Sequence, residues 1–180
     1  MNKFLKMLYD EHEIIVNAID AAKQAETLIG KEDELYEMTI RELLSFFRNY
    51  ADKYHHYKEE LILFPEMSKK NELLEDGVIK EMFDNHEDFR GMIKEIETLL
   101  DDKNYPATQK ALNSYAEALL DHIAVENEEV FQMAESIFDE AELERIYFRF
   151  VDCDRELGDQ RKEELKELSD NLRKQAYFRD

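Results

Sequence analysis

The sequence predicts an all-α protein, an up-down-up-down four-helix bundle followed by two extra C-terminal helices. Three observations predict it. The 180-residue chain holds only 4 Gly and 2 Pro, while Leu, Glu, Lys, Ala and Met abound, so long helices with short connections are the economical solution. Four apolar stripes recur at the 3-and-4 spacing of a buried helix face. Each stripe carries one inward histidine, and two of them place a glutamate four residues later, where side chains i and i+4 lie one above the other.

The first stripe runs Leu5, Leu8, His12, Ile15, Ile19 and Ala22 and ends near Gly30. The second runs Ile40, Leu44, Phe47, Ala51, His55, Glu59 and Ile62, and closes after Pro65 in the polar run Ser68 to Asn71. After Gly77 come Ile79, Met82, Phe83, His86, Phe89, Ile93, Ile96 and Leu100, stopped by Asp101 to Pro106. The fourth stripe is Leu112, Tyr115, Leu119, His122, Glu126, Val130 and Met133. Glu140 to Leu157 and Asp159 to Phe178, parted by Gly158, predict two more amphipathic helices, a structural cap or a homodimer surface. No linker or composition break intervenes, so residues 1–137 read as the bundle and 138–180 as an extension packed on the same domain.

Register chooses among neighbouring candidates. At about 100° per residue, His55 shares its face with Leu44, Phe47 and Ala51, whereas His56 falls with Asn49, Asp52 and Glu60. His55 and Glu59 are therefore expected inside, His56 and Glu60 outside. His86 lies 17 residues before Lys103 and His122 lies 17 after Tyr105, so antiparallel helices bring both to one level. The first pair is less even: His12 is 18 residues before Gly30 but His55 is 24 past Lys31, which makes residues 31 to 37 loop or overhang.

Charge and cysteine content exclude several functions. A net charge of −20 repels phosphate backbones and anionic headgroups, so neither nucleic acid nor a membrane surface is an expected partner. The lone Cys153 excludes an internal disulfide and a cysteine-rich metal site. Asp10, Glu11 and Glu13 interrupt the N-terminal apolar run too early for a signal peptide, and no stretch is long enough to span a membrane. A cytoplasmic protein is expected.

His12, His55, His86 and His122, with Glu59 and Glu126, would be costly to bury unpaired. A single inward histidine is more often a hydrogen-bonded core residue, but four on four stripes, two with glutamate at one offset, point to metal. The nitrogen and oxygen donors suit iron, manganese or zinc. Two carboxylates can bridge, so a dinuclear centre is natural: His12 and His55 on one metal, His86 and His122 on the other, Glu59 and Glu126 spanning both. An exchangeable position remains for a small ligand. Glu-x-x-His pairs of the ferritin type are absent, since Tyr9, Asp52, Phe83 and Leu119 stand three before the histidines. Tyr9, Tyr54 and Tyr115 read as large core residues, and Cys153 as a small apolar filler.

Glu11-His12 with Ile15, His55-His56-x-Lys58-Glu59-Glu60 leading to Leu63-Phe64-Pro65, Asn85-His86-x3-Arg90, and His122-Ile123-x2-Glu126-Asn127 leading to Val130-Phe131 closely resemble the hemerythrin-like HHE cation-binding domains. The resemblance covers about residues 1 to 137. It implies an up-down bundle around two iron ions with an oxo or hydroxo bridge, ligated by His12, His55, Glu59, His86, His122 and Glu126. Manganese or zinc would satisfy the same donors. Oxygen carriers of that family have a fifth histidine four residues after the third-helix ligand, where this chain has Arg90. Either one more coordination position is open or Arg90 guards it, and Arg90 could equally pair with Glu87 at the surface. The resemblance thus implies a protein that binds, senses or detoxifies dioxygen, nitric oxide or peroxide. The alternative is an iron- or redox-responsive module acting through a protein partner, without turnover.

Overall fold

The computed structural model describes residues 3–158, 162–168 and 170–171, and every regular element among them is helical. Helix α1 is Lys3–Gln24. It tightens into a 3₁₀ turn, Ala25–Leu28, and Gly30 then takes φ 75°, a left-handed conformation that only glycine adopts at no steric cost. Gly30 N also donates to Asp33 Oδ1 at 2.7 Å, which turns the chain into α2, Asp33–Phe46. Residues 33 to 37 are thus helical overhang rather than loop, and they account for the longer reach from the first turn to His55.

Helix α2 does not stop at Phe46. It continues as π-helical turns through Phe47–His56 and Glu59–Leu63 into α3, Phe64–Lys70. Helix α4 is Val78–Asp101 and α5 is Tyr105–Val125. Asn104 caps α5, its side chain accepting from Ala107 N at 3.3 Å, and Pro106 sits in the first turn, where its missing N–H costs nothing. Another π-helical turn, Glu126–Val130, joins α5 to α6, Phe131–Ile137. A capping box starts α7, Glu140–Leu157: Asp139 accepts from Glu142 N at 2.9 Å, and Asp139 N donates to Glu142 Oε2 at 3.0 Å. Residues 162–168 are helical as well. The remainder of the segment expected from Asp159 to Phe178, apart from 170–171, lies outside the described residues.

The apolar faces bury into two clusters. One gathers Ile15, Leu43, Phe47, Phe89, Tyr115 and Leu119 with their neighbours. The other gathers Leu5, Leu8, Phe64, Met82 and Phe131, and α7 closes it with Leu143, Ile146 and Phe150. Every bundle helix contributes to both clusters, and on each the histidine falls at the junction: His12 between Leu8 and Ile15, His55 between Tyr54 and Ile62, His86 between Met82 and Phe89, His122 between Leu119 and Val130. A polar layer is therefore sealed between two dry plugs.

Candidate metal centre

Seven side chains form that layer: His12, His55, His56, Glu59, His86, His122 and Glu126, none more than 2% exposed. The π-helical turns lie at this level, in Phe47–His56, Glu59–Leu63 and Glu126–Val130. Their wider i→i+5 winding rotates each residue by less than an α-helix does. This overturns the expectation that His56 faces outward. The α-helical step of about 100° is too large here, so adjacent His55 and His56 both reach the interior.

The donors fall into two groups that share one residue. His12, His55, Glu59 and Glu126 offer ligand atoms all within 4.8 Å of one another, and so do His56, Glu59, His86 and His122. Each carboxylate spans the two groups. Glu59 Oε1 is 3.6 Å from His55 Nε2 and its Oε2 is 3.7 Å from His86 Nε2. Glu126 Oε1 is 3.2 Å from His122 Nε2 and its Oε2 is 3.2 Å from His12 Nε2.

The carboxylates approach these rings without hydrogen-bond geometry, while His86 Nε2 and His122 Nε2 are hydrogen-bonded to each other at 3.1 Å. His12 Nε2, His55 Nε2, His56 Nδ1 and all four oxygens of Glu59 and Glu126 are buried without a hydrogen-bond partner. At about 1–3 kcal/mol for each such atom, the sum would rival the whole stability of an ordinary domain, about 5–15 kcal/mol. A cation between the groups gives His12 Nε2, His55 Nε2 and the four carboxylate oxygens a partner, so the residues fit a metal, whereas His56 Nδ1 faces Asp52, whose Oδ1 is 3.9 Å away.

Protonation states suit that role. Burial, and then the adjacent Glu126 carboxylate, push the Glu59 acid well above its usual range. Burial acts the same way on Glu126, but His122 and His12 outweigh it and hold that carboxyl well below. A divalent ion would hold both as carboxylates. Burial and the neighbouring His12 push His55 down to about 4, and burial and His86 push His56 well below the usual imidazole value. Near neutral pH these rings keep free lone pairs, the form that binds metal.

Outer partners orient the rings, as they do for metal-bound imidazoles. His12 Nδ1 donates to Asn127 Oδ1 at 2.8 Å, His55 Nδ1 to Glu11 Oε2 at 2.9 Å, and His86 Nδ1 to Glu60 Oε1 at 2.8 Å. The Asn85 amide stands 3.4 Å from His122 Nδ1. A carboxylate can only accept, so His55 and His86 carry their protons on Nδ1 and present bare Nε2 inward. Glu60 stays outside the layer, as its register predicts, but is only partly exposed and forms part of this support. Glu11, Glu60, Asn85 and Asn127 stand beside the histidines in sequence or on the next turn, yet periodicity alone gave them no role.

Arg90 does not enter the layer. Its guanidinium lies 2.7 Å from Asp52 Oδ1, 2.6 Å from Glu60 Oε1 and 3.6 Å from Glu87 Oε2. The third imidazole of the second group comes instead from His56, whose ring stacks on His86 with centroids 3.8 Å apart. A cleft of about 470 Å³ does reach the layer on this side, with His56, Asp52, Lys53, Phe89, Arg90 and Lys94 among its walls.

Tyr54 is more than a core filler, because its hydroxyl donates to Glu11 Oε1 at 3.0 Å and also bonds Asp154 of α7. Tyr9 likewise donates to Asn127 O at 2.9 Å. Tyr115 packs against Phe47 and Phe89, as expected of a core residue.

No helix among the described residues is long and apolar enough to cross a membrane. A search of curated proteins finds no match. The family profile described as the hemerythrin HHE cation-binding domain matches residues 3–134, the stretch that supplies all seven donors. The chain belongs to the hemerythrin HHE cation-binding domain family, and its histidine and glutamate clusters are built to hold metal.

Proposed function

We propose that this chain is a non-haem di-iron protein that binds, senses or detoxifies a small oxidant, whether dioxygen, nitric oxide or peroxide, at a carboxylate-bridged dinuclear centre. One observation carries the reading: two four-residue donor groups share Glu59, with orphaned buried atoms aimed between them. The six residues His12, His55, Glu59, His86, His122 and Glu126 serve as ligands, and His56 joins them as a seventh. Iron, when bound, supplies redox chemistry and an exchangeable coordination position. The residues hold the donors at one depth, burial keeps the His55, His56 and His86 imidazoles neutral, and the apolar clusters above and below the layer exclude bulk water. Iron is favoured over manganese or zinc by the family to which the chain belongs.

The test is optical. Iron-loaded protein held in air should show near-ultraviolet absorption from a bridged ferric pair, and azide or nitric oxide should shift it. A colourless iron-loaded protein, or a spectrum indifferent to both ligands, contradicts the reading.

A second reading, an iron- or redox-responsive binding module without turnover, is favoured by a particular feature. The bundle is tied to α7 by an ionic chain, Asp154–Lys58–Glu11, that ends on His55. On the extension, Phe148 is 56% exposed, an apolar contact available to a protein partner or a second copy. Iron-dependent dimerisation without consumption of oxidant would favour this reading over the first.

A further inference from the structure

Lys58 is wholly buried at 0% exposure. A buried cation needs close anions to offset lost hydration, and two elements supply them. Lys58 Nζ lies 2.6 Å from Glu11 Oε1 on α1 and 2.7 Å from Asp154 Oδ1 on α7. Its ammonium also stands 3.8 Å from the centre of the Tyr54 ring. Glu11 Oε2 accepts from His55 Nδ1 at 2.9 Å, and Asp154 Oδ2 accepts from Lys162 at 2.7 Å. An unbroken line of charge-assisted contacts thus runs from Lys162 through Asp154, Lys58 and Glu11 to one imidazole of the candidate centre. The line behind the other donor group stays within the bundle: His86 rests on Glu60, which Arg90 holds from the bundle's own surface together with Asp52.

We infer that Asp154 and Lys58 are positioning residues for the metal held by His12 and His55, so that docking of α7 and occupancy of that one position are thermodynamically linked. The inference rests on the metal reading above. Glu11 strengthens His55 as a donor by accepting its Nδ1 proton, and Lys58 competes for the same carboxylate. Asp154 takes a share of the lysine, which leaves more of the Glu11 charge for His55. With Asp154 gone, Lys58 has only Glu11 to pair with and draws charge away from His55. Linkage is reciprocal: if docked α7 tightens this metal, then the metal must tighten docking of α7 by the same factor. A staple that merely fixes α7 would lack that reciprocity.

The experiment uses the full chain stripped of metal and titrated with zinc by calorimetry, alongside hydrogen exchange of α7 with and without zinc. Wild type should bind two zinc ions, with slower exchange in α7 when loaded. Asp154→Asn should weaken one of the two sites by about tenfold, the lower edge of what losing an outer partner costs, and should lose zinc protection of α7 to the same extent. Asp152→Asn removes the same charge from a residue on α7 that is mostly exposed and pairs with Arg155, and should change neither. Should Asp154→Asn not fold, Tyr54→Phe removes the hydroxyl shared by Glu11 and Asp154 and should weaken the same step several-fold. Zinc binding that is unchanged in the folded variants, or α7 exchange indifferent to zinc in wild type, overturns the inference alone. A wild-type chain that holds no zinc overturns it together with the metal reading.

Discussion

The two halves of the centre draw on the same donor types, imidazole and carboxylate, but differ in what stands behind them. The His12–His55 half is backed inward: Glu11 is 2% exposed, and Lys58 and Tyr54 close around it. Burial would raise the Glu11 carboxyl, but Lys58 and His55 outweigh it and bring it down to about 2. The half formed by His56, His86 and His122 is backed outward. Its supports Glu60 and Asp52 are partly exposed and share Arg90, and its cleft opens beside His56. The difference teaches that the same layer has two kinds of support: one half rests on buried groups shared with α7, and the other rests on partly exposed groups beside a cleft.

The largest effect should come from removing what the halves share. Glu59→Ala should weaken both sites by more than the ~10–100-fold that an outer partner contributes, and elemental analysis should find well under one metal per chain. A variant that still holds two would mean that Glu59 spans nothing. Single-half changes come next. His12→Ala and His56→Ala should each leave one metal, and only His56→Ala should abolish the spectral response to azide. Full occupancy with an unchanged spectrum in His56→Ala would return that residue to the role its sequence position suggests.

Metal removal is a smaller test of both halves together. A metal present at about 100 times its dissociation constant stabilises the native state by ~2.7 kcal/mol, so chelation should lower the melting temperature by roughly 5–11 °C for each metal lost from a chain of this size. No change would mean that the donors bind nothing of consequence. The mildest prediction concerns Arg90, whose side chain is 33% exposed. Arg90→Ala should leave metal content intact and speed azide association a few-fold, measured by stopped flow. An unchanged rate would remove Arg90 as a guard of the cleft.

Much of this was legible in the chain. Apolar stripes at 3-and-4 spacing marked the four bundle helices, and the histidine of each stripe is buried in one layer. The register of His56 was not legible, because periodicity assumes α-helical winding and the turns at the centre are wider. Glu60 stays outside the layer as its register predicts, but the bond it accepts from His86 on another helix is not visible in that register. The Lys58–Asp154 pair was hidden for another: its partners are 96 residues apart, and a lone lysine beside a motif gives no sign that it is buried. Phe83 joined the predicted stripe yet is 39% exposed, packing its ring edge-on against Phe64.

The central claim is that two metals share the carboxylates of Glu59 and Glu126. Metal analysis of the protein expressed with iron tests it most directly. The account predicts close to two iron ions per chain; purified protein that retains only traces, from iron, manganese and zinc alike, would contradict it.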